Sequence, residues 1–89
     1  MIQIEVSSKA MKRAAERAIN KPLKVRMIEF RTYSVLNGEG KRYTVYFRVG
    51  KNGSKWAECS CAAGMAGQLC YHVAGALPIH CHIAKHRQQ

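Results

Sequence analysis

Eighty-nine residues make one domain, 1–89, whose single hydrophobic core supplies little surplus stability, so a staple such as a disulfide, a metal or a partner chain is expected. Fifteen Lys and Arg against five Glu and no Asp give a net charge of +10, which points to a polyanion, most often nucleic acid, as the partner. The same composition excludes most catalysis: there is no Asp, no Glu beside a His and no phosphate-cradling glycine motif, so no enzyme is expected.

Residues 1–6 (MIQIEV) alternate and fit a short strand or a lead-in. Ser7 and Ser8 then offer N-cap hydroxyls, and Met11, Ala14, Ala15, Ala18 and Ile19 recur at the spacing of one helix face. Asn20 and Pro22 end this segment, giving a basic helix over 7–21 with Lys12, Arg13, Glu16 and Arg17 off the apolar stripe. The stripe is mostly Ala, so the helix buries little and must lean on a neighbour. Residues 24–36 (KVRMIEFRTYSVL) are rich in β-branched and aromatic side chains and read as one strand, closed by the turn Asn37-Gly38-Glu39-Gly40. Residues 42–49 alternate, with Tyr43, Val45, Phe47 and Val49 one way and Arg42, Thr44, Tyr46 and Arg48 the other. Gly50-Lys51-Asn52-Gly53 turns the chain into a third strand over 54–59. The expectation is a three-stranded antiparallel meander within 24–60, one face apolar and the other carrying Arg and Tyr. From Gln68 the chain turns apolar and helical, with Leu69, Val73, Ala76 and Leu77 spaced to cover a strand face. Pro78 is expected to end or kink that helix and to leave 79–89 as a further turn or a tail.

Four cysteines are present, and the opening MIQIEVSSK lacks the apolar run of a secretory signal. An intracellular, thiol-reducing setting is therefore expected, in which clustered cysteines read as metal ligands before they read as disulfides. The cluster is Cys59-Ser60-Cys61, eight intervening residues, then Cys70-Tyr71-His72. Two ligands at i, i+2 can face one point from a strand end or a turn, and Gly64 and Gly67 permit the tight return that brings the second pair opposite. On a regular helix Cys70 and His72 would diverge by about 200°, so they must lie at the helix start. Cys59, Cys61, Cys70 and His72 are read as the ligands of one Zn²⁺. All four positions are filled by protein, so the site is structural rather than catalytic. A second cluster, His80, Cys81, His82 and His86, is read as a polar tail with an unpaired thiol rather than a second metal site.

The order Cys-x-Cys, loop, Cys-x-His resembles the SWIM zinc finger over CSCAAGMAGQLCYHVAGAL, from Cys59 to Leu77. The likeness extends to the aromatic Trp56 on the strand before the first ligand, to Gly67 three residues before Cys70, and to the small apolar helix from Val73 to Leu77. The loop departs from the family, being Ala-Ala-Gly-Met-Ala-Gly-Gln-Leu where relatives usually carry charged or bulky polar residues. The resemblance implies a zinc module over 59–78. It also implies DNA or protein binding, since such modules occur in transposases, chromatin-remodelling ATPases, recombination accessory proteins and ubiquitin-ligase-like proteins.

The fold class expected is therefore α+β: a basic N-terminal helix, a three-stranded meander, and a C-terminal helix after a zinc loop. Thirteen of the fifteen basic residues and all five Glu lie in residues 1–58, whereas 59–84 carry no charged side chain at all. Polar and glycine residues interrupt that uncharged stretch, so it is not a membrane span. The first expectation for function is a non-catalytic DNA-binding accessory protein. Lys12, Arg13, Arg17, Lys24, Arg26, Arg31, Arg42, Arg48, Lys51 and Lys55 would meet phosphates, and Tyr33, Tyr46 and Trp56 are interleaved with them, although Trp56 reads better as core. The second is a protein-interaction module that presents the uncharged helix from Leu69 to Leu77 and the Met65 loop to a partner or a second copy.

Overall fold

The structure, a computed structural model, describes residues 3–19, 21–50 and 52–87, the side chains of Ser8, His86 and Arg87 excepted. Met1 and Ile2 of the expected lead strand, the helix-ending Asn20, the candidate contact Lys51 and the side chain of His86 lie outside the described residues. In chain order the elements are β1 (Ile4–Glu5), α1 (Ser8–Ala18), β2 (Lys24–Glu29), β3 (Thr32–Leu36), β4 (Arg42–Val49), β5 (Lys55–Cys59), α2 (Ala62–Met65) and α3 (Tyr71–Arg87).

The strands form one antiparallel sheet in the order β1-β5-β4-β3-β2. The sheet thus has five strands, not three, and a strand precedes the first helix. Two features account for the difference. The segment 24–36 is a hairpin, because Phe30 and Arg31 turn the chain between Glu29 and Thr32. Arg31 takes the left-handed conformation, φ 73°, that such a tight turn demands and that Gly or Asn usually supplies. Its carbonyl accepts the Phe47 N–H at 2.8 Å, which ties the turn to β4. At the other edge Ile4 and Glu5 pair with Ala57 and Trp56, and the Val6 N–H donates to the Lys55 carbonyl at 2.8 Å.

Ser7 caps α1, its hydroxyl accepting the Ala10 N–H at 3.3 Å. The stripe that α1 buries is Ala10, Met11, Ala14 and Ala18, with Ala14 wholly enclosed; Ala15 and Ile19 of the expected face are exposed. As its thin stripe requires, α1 leans on another helix, α3. Val73, Ala74 and Ala76 of α3 join Tyr33, Val35, Val45, Phe47, Ala57 and Cys59 of the sheet in one core. Trp56 is only half-buried and stands outside that core.

Pro78 does not end α3, which continues to Arg87. A mid-helix proline forfeits a hydrogen bond and costs about 3 kcal/mol. Packing of the residues beyond it offsets that cost. Tyr33 Oη and His80 Nδ1 are hydrogen-bonded at 3.0 Å, His80 stacks on Phe47 with ring centroids 4.6 Å apart, and Ile83 rests on the core. Among the described residues no helix is long and apolar enough to cross a membrane.

Candidate metal centre and the grooves beside it

The metal-ligand group assembles at one end of the sheet. Cys59 is the last residue of β5, and the chain then turns so that Cys61 becomes the N-cap of α2, its sulfur accepting the Gly64 N–H at 3.3 Å. This short helix packs so closely on β5 that a Cβ at Gly64 would collide with the Cys59 carbonyl oxygen and lie 2.9 Å from Cys59 Cβ. Gly67, at φ 81°, reverses the chain after α2. Arg17 of α1 pins the returning segment, donating from Nη2 to the Leu69 carbonyl at 2.9 Å. Cys70 immediately precedes α3 and His72 lies in its first turn, so the second pair sits at the helix start as its spacing requires.

One ligand atom from each of Cys59, Cys61, Cys70 and His72 lies within 4.8 Å of the other three, and all four residues are buried. The donor chemistry and the surroundings fit a metal ion on three grounds. Bonds of about 2.3 Å to sulfur and 2.0 Å to nitrogen, tetrahedrally arranged, place neighbouring donors about 3.5–3.8 Å apart; Cys59 Sγ and His72 Nδ1 are 3.9 Å apart. The His72 ring, flanked by Tyr43 and Tyr71 at 4.4 and 4.2 Å, has its Nε2 buried with no hydrogen-bond partner. Such a group is costly in a core unless the imidazole is engaged in another way. Finally, the sulfurs already share charge. Cys70 is drawn down to about 4, first by the hydrogen bond from the Cys59 thiol and then, against burial, by His72 and the Val73 N–H. Cys59 is pushed far above the usual thiol range because it donates to Cys70 and is buried, and burial raises Cys61. Three sulfurs this close cannot all ionise without a cation among them.

Of the ten cations expected to meet phosphates, the nine that are described do not form one patch. Lys12, Arg13 and Arg17 are exposed on α1, and Lys24 and Arg26 on the edge strand β2. Arg42 and Arg48 project from the face of β4 opposite the core, where Arg42 bonds Ser34 Oγ at 3.2 Å and Arg48 pairs with Glu58 at 2.9 Å. Arg31 sits in the β2–β3 turn and Lys55 at the start of β5. Two grooves collect part of this charge. One runs beside the metal-ligand group and is lined by Arg13 and Arg17 with Tyr43, Gln68 and Tyr71. Lys21 adds its ammonium 5.4 Å above the Tyr71 ring. The other lies at the far end of the core face and is lined by Arg31 and Lys55 with Phe30, Phe47, His80 and Lys85. No glutamate lines either groove.

Tyr43, Gln68, Tyr71 and Lys85 are groove residues that a reading of motifs passes over, because nothing in their spacing marks them. His80 and Cys81 were grouped by sequence with His82 and His86. The structure instead commits His80 to Tyr33 and Phe47, and the metal-ligand group among the described residues holds none of the four. The apolar residues that a partner-binding helix would display, Leu69, Val73 and Ala76, face inward. No family model, curated protein or solved structure matches the chain.

Proposed function

We propose that the metal is a single structural Zn²⁺ and that the protein binds nucleic acid, DNA foremost, as a non-catalytic accessory factor. Three thiolates and one imidazole are a soft, four-donor set of the kind that closes a structural zinc site and leaves no position for water or substrate. The ligand order resembles the SWIM finger, and the β5–α2–α3 path supports that likeness. Zinc would contribute folding stability and charge neutralisation among the sulfurs, and three of its ligands, Cys61, Cys70 and His72, border the first groove.

The observation that carries the nucleic-acid reading is the lining of the two grooves: arginine, lysine and aromatic rings, with all five glutamates elsewhere. Cations supply affinity through phosphates, and exposed ring faces supply stacking. Labelled oligonucleotides titrated with the zinc-loaded protein at several salt concentrations test this. If six or more phosphates are engaged, affinity falls by about 10³-fold or more between 50 and 200 mM salt. Salt-independent binding, or none, refutes it. The alternative, a protein-interaction module built on the uncharged helix and the Met65 loop, is less well supported, because the helix spends its apolar residues on the core and leaves Met65 of the loop as the exposed part.

A further inference from the structure

We propose that the groove between the β4–β5 end of the sheet and the C-terminal half of α3 receives one unpaired base of a single-stranded nucleic acid, with Arg31, Lys55 and Lys85 holding the flanking phosphates. The proposal deepens the nucleic-acid reading above and rests on it.

The groove encloses about 670 Å³, within the range of about 300–1,000 Å³ that small-molecule sites occupy. Its floor is aromatic, the rings packed against one another rather than laid side by side. His80 stacks on Phe47 at 4.6 Å with an interplanar angle of 13°, and Phe30 tilts against His80 at 5.7 Å. Met11 and Leu77 complete an apolar wall. Around this floor stand three exposed cations, Arg31, Lys55 and Lys85, and no carboxylate among the described residues. Arg48 also borders the groove, but its guanidinium is engaged by Glu58. An apolar ring floor inside a cationic rim complements a ligand that is flat at its centre and anionic at its edges.

Two details sharpen the fit. Arg31 holds φ 73°, a conformation that costs a residue with a side chain and is concentrated at functional positions. Its guanidinium carbon sits 5.3 Å from the Phe30 ring centroid, so charge and stacking surface are already together. His80 is held neutral by burial first and then by Arg31 and Lys55, so its ring adds stacking surface rather than further charge. A duplex hides base faces within its own stack, whereas an unpaired strand offers them. An acidic peptide would satisfy the rim and leave the ring floor unused.

The test uses the zinc-loaded full chain and fluorescence anisotropy with three labelled probes: a 12-nucleotide deoxythymidine strand, a 12-base-pair duplex, and a 12-nucleotide abasic strand with the same phosphates. The thymidine strand is expected to bind at least about 5-fold more tightly than the abasic strand, the lower end of what one stacked base contributes. The Lys55→Glu/Lys85→Glu double variant is expected to lose at least about 10-fold more affinity for the thymidine strand than an equal charge change at Lys9 and Lys41. Those two lysines are exposed and line neither groove. Equal binding of duplex or abasic strand, equal losses in the two double variants, or displacement by polyglutamate as readily as by oligonucleotide overturns the groove proposal alone. If the unaltered protein binds none of the three probes, the nucleic-acid reading fails and the proposal with it. The probe comparison needs no variant and so holds whatever a substitution does to folding.

Discussion

Removal of the metal should unfold this chain rather than merely loosen it. Cys59, Cys61, Cys70 and His72 are at most 5% exposed and stand where β5, α2 and α3 converge. A closed Cys/His site in zinc-finger peptides contributes about 10–16 kcal/mol of apparent binding free energy at neutral pH. The net stability of a whole domain is about 5–15 kcal/mol, and a short chain lies towards the low end. The metal term therefore equals or exceeds everything else. The assay is a circular-dichroism melt of the zinc-loaded chain before and after a chelator that removes the ion, with zinc then restored and its stoichiometry measured colorimetrically. One zinc per chain, loss of the cooperative transition and recovery on re-addition are expected. Cys70→Ala should reproduce the loss, whereas Cys81→Ser should not, because Cys81 is exposed and lies outside the ligand group. A metal-stripped chain that melts cooperatively at the same temperature would refute the reasoning, as would two ions per chain.

Three further substitutions or titrations probe the scaffold. Gly64→Ala forces a methyl into the Cys59 carbonyl, where backbone meets backbone, and should cost about 1–3 kcal/mol in a melt while weakening zinc retention against a competing chelator; an unchanged melt contradicts the close approach. Pro78→Ala restores an amide donor within α3 at an exposed position and should raise stability by up to about 3 kcal/mol; a lowered melting temperature would show instead that the proline sets a needed bend. Burial, then Arg31 and Lys55, depress the His80 pKa below its ordinary value, with Tyr33, Cys81 and Lys85 its other titratable neighbours. The unfolded chain then binds the extra proton first, so this residue's contribution to stability is complete above pH 6.5 and is lost as pH falls through the depressed value. An NMR titration of the His80 ring with a midpoint at or above 6.5 would contradict that environment.

The ligand set was legible because metal chemistry imposes a local rule. Cys59 and Cys61 sit where a strand ends and a helix begins, Cys70 and His72 at another helix start, and both i, i+2 spacings demand such irregular backbone. Strand β4 was legible for a similar reason, since alternation over Arg42–Val49 has only one extended reading. The β2–β3 hairpin was hidden because its turn is made by Phe30 and Arg31, neither of which announces a turn; the evidence for it, a left-handed arginine tied to β4, exists only in three dimensions. The continuation of α3 was hidden for a related reason. Local propensity says that Pro78 stops a helix, and what overrides it is the long-range partnership of His80 with Tyr33 and Phe47. The ten cations were individually visible, but which of them share a groove depends on pairings across elements.

The continuation of α3 also bears on how the two ends of the molecule depend on each other. His72 in the first turn of α3 belongs to the metal-ligand group, and His80, eight residues on and about 12 Å along the axis, forms the floor of the far groove. The same helix that bears His72 also carries Lys85 to the groove that Lys55 lines. The two histidines do different work because their neighbours differ. His72 lies among sulfurs at a helix start, where N–H donors favour thiolates and hence a cation. His80 lies between aromatic rings and two cations, where a charged imidazole is disfavoured and a neutral ring is the stable form. A metal held at the first turn of α3 would thereby fix the position of a groove it does not touch, so that on the proposed reading a closed site supports binding from a distance.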